Sequence, residues 1–131
     1  MNFRKTVTDK VAKIPNLAHG RQVPPNATLF FYTGQMGINT EVQLQDESFG
    51  SEARQALDNI QELLKADNCT FSDVVNVKVT LAGSLKNWKE LMSILNEYFG
   101  EHEPTRDLPL VTLELPLSAQ VAISVMAAKV V

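Results

Sequence analysis

The sequence predicts a single α+β domain, a sheet with two amphipathic helices packed on one of its faces. Three observations carry that reading. Ala53, Ala56, Leu57, Ile60, Leu63 and Leu64 recur at intervals of three and four, which is the period of a helix with one apolar face. Val74 to Leu81 alternates in steps of two, the period of a strand, and both patterns return later in the chain. With 131 residues, 44% of them hydrophobic, the chain can bury one sizeable core without disulfides or metals, so residues 1–131 are read as one domain.

Leu29 to Thr33 is a short aromatic, β-favouring run between the turn-rich Pro24-Pro25-Asn26 and Gly34, and it predicts a strand entering a loop. The first helical pattern begins near Gly50, with Arg54, Asp58, Gln61 and Lys65 on its polar side. Ser48 or Ser51 is expected to cap its free amides, Glu52 suits the positive end of the dipole, and the helix should end near Asp67-Asn68. The strand from Val74 should place Val75, Val77, Val79 and Leu81 on one face and Asn76, Lys78 and Thr80 on the other. Asn87 and Glu90 have the spacing of a capping box ahead of Trp88, Leu91, Met92, Leu95, Tyr98 and Phe99, the second helix. Strands at Leu108 to Leu115 and Val121 to Ala128 close the chain around a turn at Pro116-Leu117-Ser118-Ala119.

The last strand carries small or apolar residues on both faces: Val121, Ile123 and Val125 against Ala122, Met126 and Ala128. Two helices cover one face. The other needs a second subunit, at roughly 25 cal/mol per Å² of apolar surface buried, so a homo-oligomer is expected.

Twelve basic and fifteen acidic residues give a net charge of −3, which offers no general field for phosphate backbones or anionic membranes and argues against nucleic acid as a partner. Cys69 is the only cysteine, so no internal disulfide forms, and a reducing compartment suits it. Met1 to Pro15 has neither the apolar core of a signal peptide nor the length of a membrane span, and the expectation is a cytoplasmic protein without membrane association. Asn26-Ala27-Thr28 and Asn68-Cys69-Thr70 match the glycosylation pattern by chance on that reading. His102 has no second ligand at metal-like spacing and is expected at the surface. Arg106, in Glu103-Pro104-Thr105-Arg106 just before a strand, is the best functional candidate. Its guanidinium is a rigid fork of donors that matches a carboxylate in two parallel bonds.

Phe30-Phe31-Tyr32-Thr33-Gly34-Gln35, Ala53-Arg54-Gln55-Ala56-Leu57-Asp58-Asn59-Ile60, Asp73-Val74-Val75, Pro104-Thr105-Arg106 and Leu115-Pro116 fall in an order that resembles the reactive-intermediate deaminase family, called Rid or YjgF-type and also labelled endoribonuclease L-PSP. The resemblance spans nearly the whole chain. It implies a chorismate-mutase-like fold with a mixed sheet, a homotrimer, and a ligand site in each of three clefts between subunits, with no metal or organic cofactor. In better-studied members the arginine at the position of Arg106 binds the carboxylate of a 2-imino or 2-enamino acid, and water then releases ammonia and a 2-keto acid. A small carboxylate metabolite is therefore the implied partner, with Thr33, Gly34 and Gln35 also at the cleft.

The sequence departs from that pattern at the site. Aligned on Leu115-Pro116, the family's water-positioning glutamate falls at Ala122, which has no group to activate water. The family's tyrosine near the N-terminus has no match in Asn16 to Arg21, where His19 is the nearest ring, and its second-helix asparagine falls at Met92. The stretch from Arg106 to Leu115 is one residue long, which a bulge at Pro109 can absorb. Glu114 and His19 are the candidates left for handling water. The alternative is a non-catalytic, metabolite-binding or regulatory trimer. The acidic charge and the lack of basic residues interleaved with aromatics argue against a ribonuclease.

Overall fold

Two helices and five strands make up the computed structural model, which describes residues 3–44 and 48–131. Helix α1, Phe49–Ala66, is capped by Ser48, whose hydroxyl accepts from the Ser51 amide at 3.2 Å, and it stops at Asp67 as its pattern predicts. It buries Ala53, Ala56, Leu57, Ile60 and Leu64 completely, whereas Leu63 is 36% exposed at the edge of the stripe. Helix α2, Trp88–Phe99, buries Leu91, Ile94, Leu95 and Phe99. Asn87 stands at its N-cap position without a side-chain cap bond, contrary to the capping-box expectation. Its ψ of 7° is not the extended backbone that aims a cap side chain at the free amides.

The strands are β1, Thr28–Phe31; β2, Val74–Ala82; β3, Thr105–Arg106; β4, Leu110–Thr112; and β5, Val121–Lys129. They form one mixed sheet in the order β1-β5-β2-β3, with β4 following β3 along the same side of β2. β5 is antiparallel to both β1 and β2, while β3 and β4 run parallel to β2. Val77, Val79 and Leu81 from β2 and Val121, Ile123, Val125 and Ala127 from β5 meet the two helices in the main core.

Val75 departs from the expected alternation. The β2–β5 register shifts between Val74 and Asn76, so Val74 joins the main core and Val75 packs on the opposite face with Phe3 and Ala128. The N-terminal segment thus covers one end of that second face, with Val23, Ala27, Met126 and Val130 around it. The rest stays open, including Leu29 at 46%, Phe31 at 74% and Leu110 at 64% exposure.

The expected strand from Leu108 to Leu115 is shortened to β4, and Arg106, expected just ahead of it, lies in a separate two-residue strand, β3. Thr105 lies opposite Asn76 and Arg106 opposite Val77, but Leu110 lies opposite Thr80, so the offset grows by one residue between the two pieces. Asp107 to Pro109 absorbs the extra residue, and Pro109 has no amide to give the ladder. Past Thr112 the pairing ends, leaving Leu113 and Glu114 exposed. No helix among the described residues is long and apolar enough to cross a membrane.

Candidate functional site

Because Arg106 lies opposite Val77, its side chain takes the helix-facing side of the sheet. There it meets α2. Nη2 donates to Asn96 Oδ1 at 3.1 Å, Nη1 lies 3.9 Å from Met92 Sδ, and Cζ sits 5.7 Å from the Phe99 ring centroid, within reach of a cation–π attraction. Met92 and Asn96 are four residues apart and so share a helix face. Nε is buried and has no hydrogen-bond partner among the described residues. Burial pulls the guanidinium pKa below its ordinary value, with Glu103 countering through space. An arginine nonetheless keeps its charge.

The neighbouring carboxylates are committed elsewhere. Glu103 pairs with Lys5 at 2.9 Å, and Asp107 lies 4.0 Å from Lys78 and accepts from Asn76 Nδ2 at 3.5 Å. Glu97, beside Asn96 on α2, pairs with Arg54 at 2.9 Å. Among the described residues, no carboxylate comes within ion-pair distance of Arg106. A surface ion pair with Glu103 or Asp107, the plainest account of an arginine here, is absent from this set.

Thr33, Gly34 and Gln35 occupy the other side of the sheet. Gln35 exchanges backbone hydrogen bonds with Ile123 on β5, at 2.7 and 2.9 Å, and Gln35 Nε2 donates to the Thr33 carbonyl at 3.1 Å. Gly34 faces Ser124: a Cβ placed on it would lie 3.9 Å from the serine Cβ. Asn59, inside the first helix motif, steadies the loop that follows by donating to the carbonyls of Met36 at 3.3 Å and Ile38 at 2.9 Å. Ala122 is half-buried opposite Thr80 on the face away from the helices. At about 4.8 Å per strand, Gly34 and Arg106 are separated by roughly 14 Å across β5 and β2, and they address different faces. One chain does not bring them together.

Glu114 stands apart from Arg106, and His19 is bonded within its own N-terminal segment. Glu114 is exposed two residues beyond β4. Thr112, the last residue of β4, lies opposite Ala82, five residues along β2 from the partner of Arg106, or roughly 17 Å. His19 is exposed, its Nε2 2.8 Å from the Ala12 carbonyl, in a hollow with Lys5, Lys13 and Glu103. That segment is tied to the arginine's own: the Ala18 amide donates to the Pro104 carbonyl at 3.0 Å, and Arg21 Nε and Nη2 donate to the Glu103 carbonyl.

His102 corrects its expectation. It is half-buried rather than exposed, with Nε2 2.7 Å from the Val74 carbonyl and its ring stacked on Phe99 at 6.3 Å. Asn96 and His102 are the residues that sequence reasoning missed. The signal for Asn96 was its place one turn after Met92 on a helix facing Arg106.

The profile of the family described as Endoribonuclease L-PSP matches residues 16–129. The chain belongs to the Rid/YjgF family. This Rid-family protein is 31% identical over 129 residues to a RutC family protein of Aquifex aeolicus, covering 97% of this chain and all of that one. It is 31% identical over 105 residues to the 2-iminobutanoate/2-iminopropanoate deaminase of Rattus norvegicus, which is 79% of this chain and 75% of the rat protein. The Rid-family protein YyfB of Yersinia pestis superposes with a TM-score of 0.85 over 98% of this chain and 100% of its own; at 19% identity, that likeness concerns the fold.

Proposed function

We propose that this Rid-family protein binds a small carboxylate at Arg106 and hydrolyses 2-imino or 2-enamino acids to 2-keto acids and ammonia, in clefts between the subunits of a homotrimer. The observation that carries this reading is the state of Arg106: a half-buried cation held by an amide oxygen, a sulfur and a ring face, with nearby carboxylates committed elsewhere. A partly desolvated charge of this kind is costly until an anion meets it. The rat relative, named for 2-imino acid deamination, supports the reaction class.

The placement of the two half-sites supports an intersubunit cleft. Thr33, Gly34 and Gln35 lie at the β1–β5 side and Arg106 beyond β2, so a complete site needs the Arg106 edge of one copy against the Gly34 edge of the next. Such a contact is head-to-tail, and three of them close a ring. Bound there, the carboxylate fixes the imine carbon. Water adds to it, the nitrogen takes up a proton, and the C–N bond of the carbinolamine breaks to release ammonia and leave the keto group. Holding the reactants supplies proximity; a base that takes the proton from water supplies the rest. Glu114 is too far from Arg106 in its own chain and serves, on this reading, only in a neighbour's cleft; His19 is the other candidate.

Ala122 favours a second reading, in which the cleft binds its carboxylate without turnover. Ammonia release from 2-iminopropanoate generated in place separates the two. A deaminase shows activity in the wild type that is lost in Arg106→Ala. A binding protein is silent in the wild type and gains activity in Ala122→Glu.

A further inference from the structure

We infer that Asn96 is a positioning residue that holds Arg106 extended and charged for its ligand, because its oxygen is a neutral acceptor that orders the guanidinium without cancelling it. This rests on the reading of Arg106 as a carboxylate site. Asn96 is half-buried on the last turn of α2, and its 3.1 Å bond to Nη2 joins two different elements of the fold. That bond engages one of the five N–H donors of the guanidinium, and the sulfur of Met92 is a weak acceptor for another. Nε, without a partner among the described residues, stays available.

The charged groups on the packed elements point the same way. Glu97 on α2 is tied to Arg54, Glu103 to Lys5 and Asp107 to Lys78. The polar group left to face Arg106 from α2 is an amide. An aspartate at the same place has nearly the same shape and takes the same hydrogen bond, but it supplies the counter-charge that the ligand is meant to supply. Asn96→Asp therefore separates holding from neutralising, which a truncation does not.

The test combines ligand binding with a stability cycle. Calorimetric titration with 2-oxobutanoate, a stable 2-keto acid, is run on the wild type, Asn96→Asp, Asn96→Ala and Arg106→Ala. Melting temperature is read for Asn96→Asp in both the Arg106 and the Arg106→Ala backgrounds. The expected result is a tenfold or greater loss of affinity in Asn96→Asp, a smaller loss in Asn96→Ala, and a melting shift for Asn96→Asp that is several degrees more favourable with Arg106 present than without it. Wild-type affinity in Asn96→Asp, or the same melting shift in both backgrounds, overturns the inference. A positive cycle alongside a wild type that binds no better than Arg106→Ala overturns the carboxylate reading instead.

Discussion

Arg106 and His102 both lie against the Phe99 ring, and each owes its character to burial. For the arginine, burial lowers the pKa without removing the charge. For the histidine, desolvation is the largest influence and lowers the pKa below its ordinary 6.5, with the Val74 carbonyl partly opposing it. The neutral ring is thus favoured in the folded chain, and the unfolded chain takes up the proton first as the pH falls. Stability tied to His102 is present above about pH 6.5 and is lost as the pH drops from there toward the folded pKa. Melting temperatures between pH 7.5 and pH 5 should fall, and His102→Gln should flatten that fall; an unchanged slope in the variant would assign the acid sensitivity to other groups. Arg106 was singled out in the sequence through the Pro104-Thr105-Arg106 resemblance, and the structure sets it within β3 where a place just ahead of a strand was expected. The place of His102 was not legible, because its partner Val74 is 28 residues away.

At the scale of elements, the helices were legible because their signal is local. Period and cap lie within one segment, and Ser48, the apolar stripe and the stop at Asp67 all fall where the pattern puts them. The stripe also predicts its own energetics. Leu57, fully buried, should cost about 2–5 kcal/mol as Leu57→Ala in urea unfolding, while Leu63→Ala, at the 36% exposed margin, should cost well under half of that. Equal costs would mean that the apolar face is rotated from the one described. The β-bulge at Val75 and the split between β3 and β4 lie beyond such reasoning, because both are properties of a pairing and not of a segment. The extra residue before Leu115 gave the one sequence trace of the split. The split follows Arg106 and so leaves the register of Arg106 with Val77, and its helix-facing direction, intact.

At the scale of the whole molecule, the sheet order explains why one chain holds only halves of the proposed site. β5 and β2 stand between the loop of Gly34 and the edge of Arg106, and much of the face opposite the helices remains open around Leu29, Phe31 and Leu110. Sequence reasoning anticipated an uncovered face from the two-sided apolar character of β5, but not that Phe3 and its neighbours cover one end of it. The central claim, a cleft shared by two copies, is tested most directly by mixing two disabled chains. Arg106→Ala removes the grip, and Gly34→Trp fills the opposite half-site at an exposed loop with ordinary space beside it. Each variant alone should fail to bind 2-oxobutanoate. Refolded together in equal amounts, they should recover about a quarter of the wild-type binding sites, because in that share of head-to-tail contacts an intact Arg106 meets an intact Gly34. No recovery in mixtures shown to contain both chains in one assembly would contradict the shared cleft and place the whole site within a single chain.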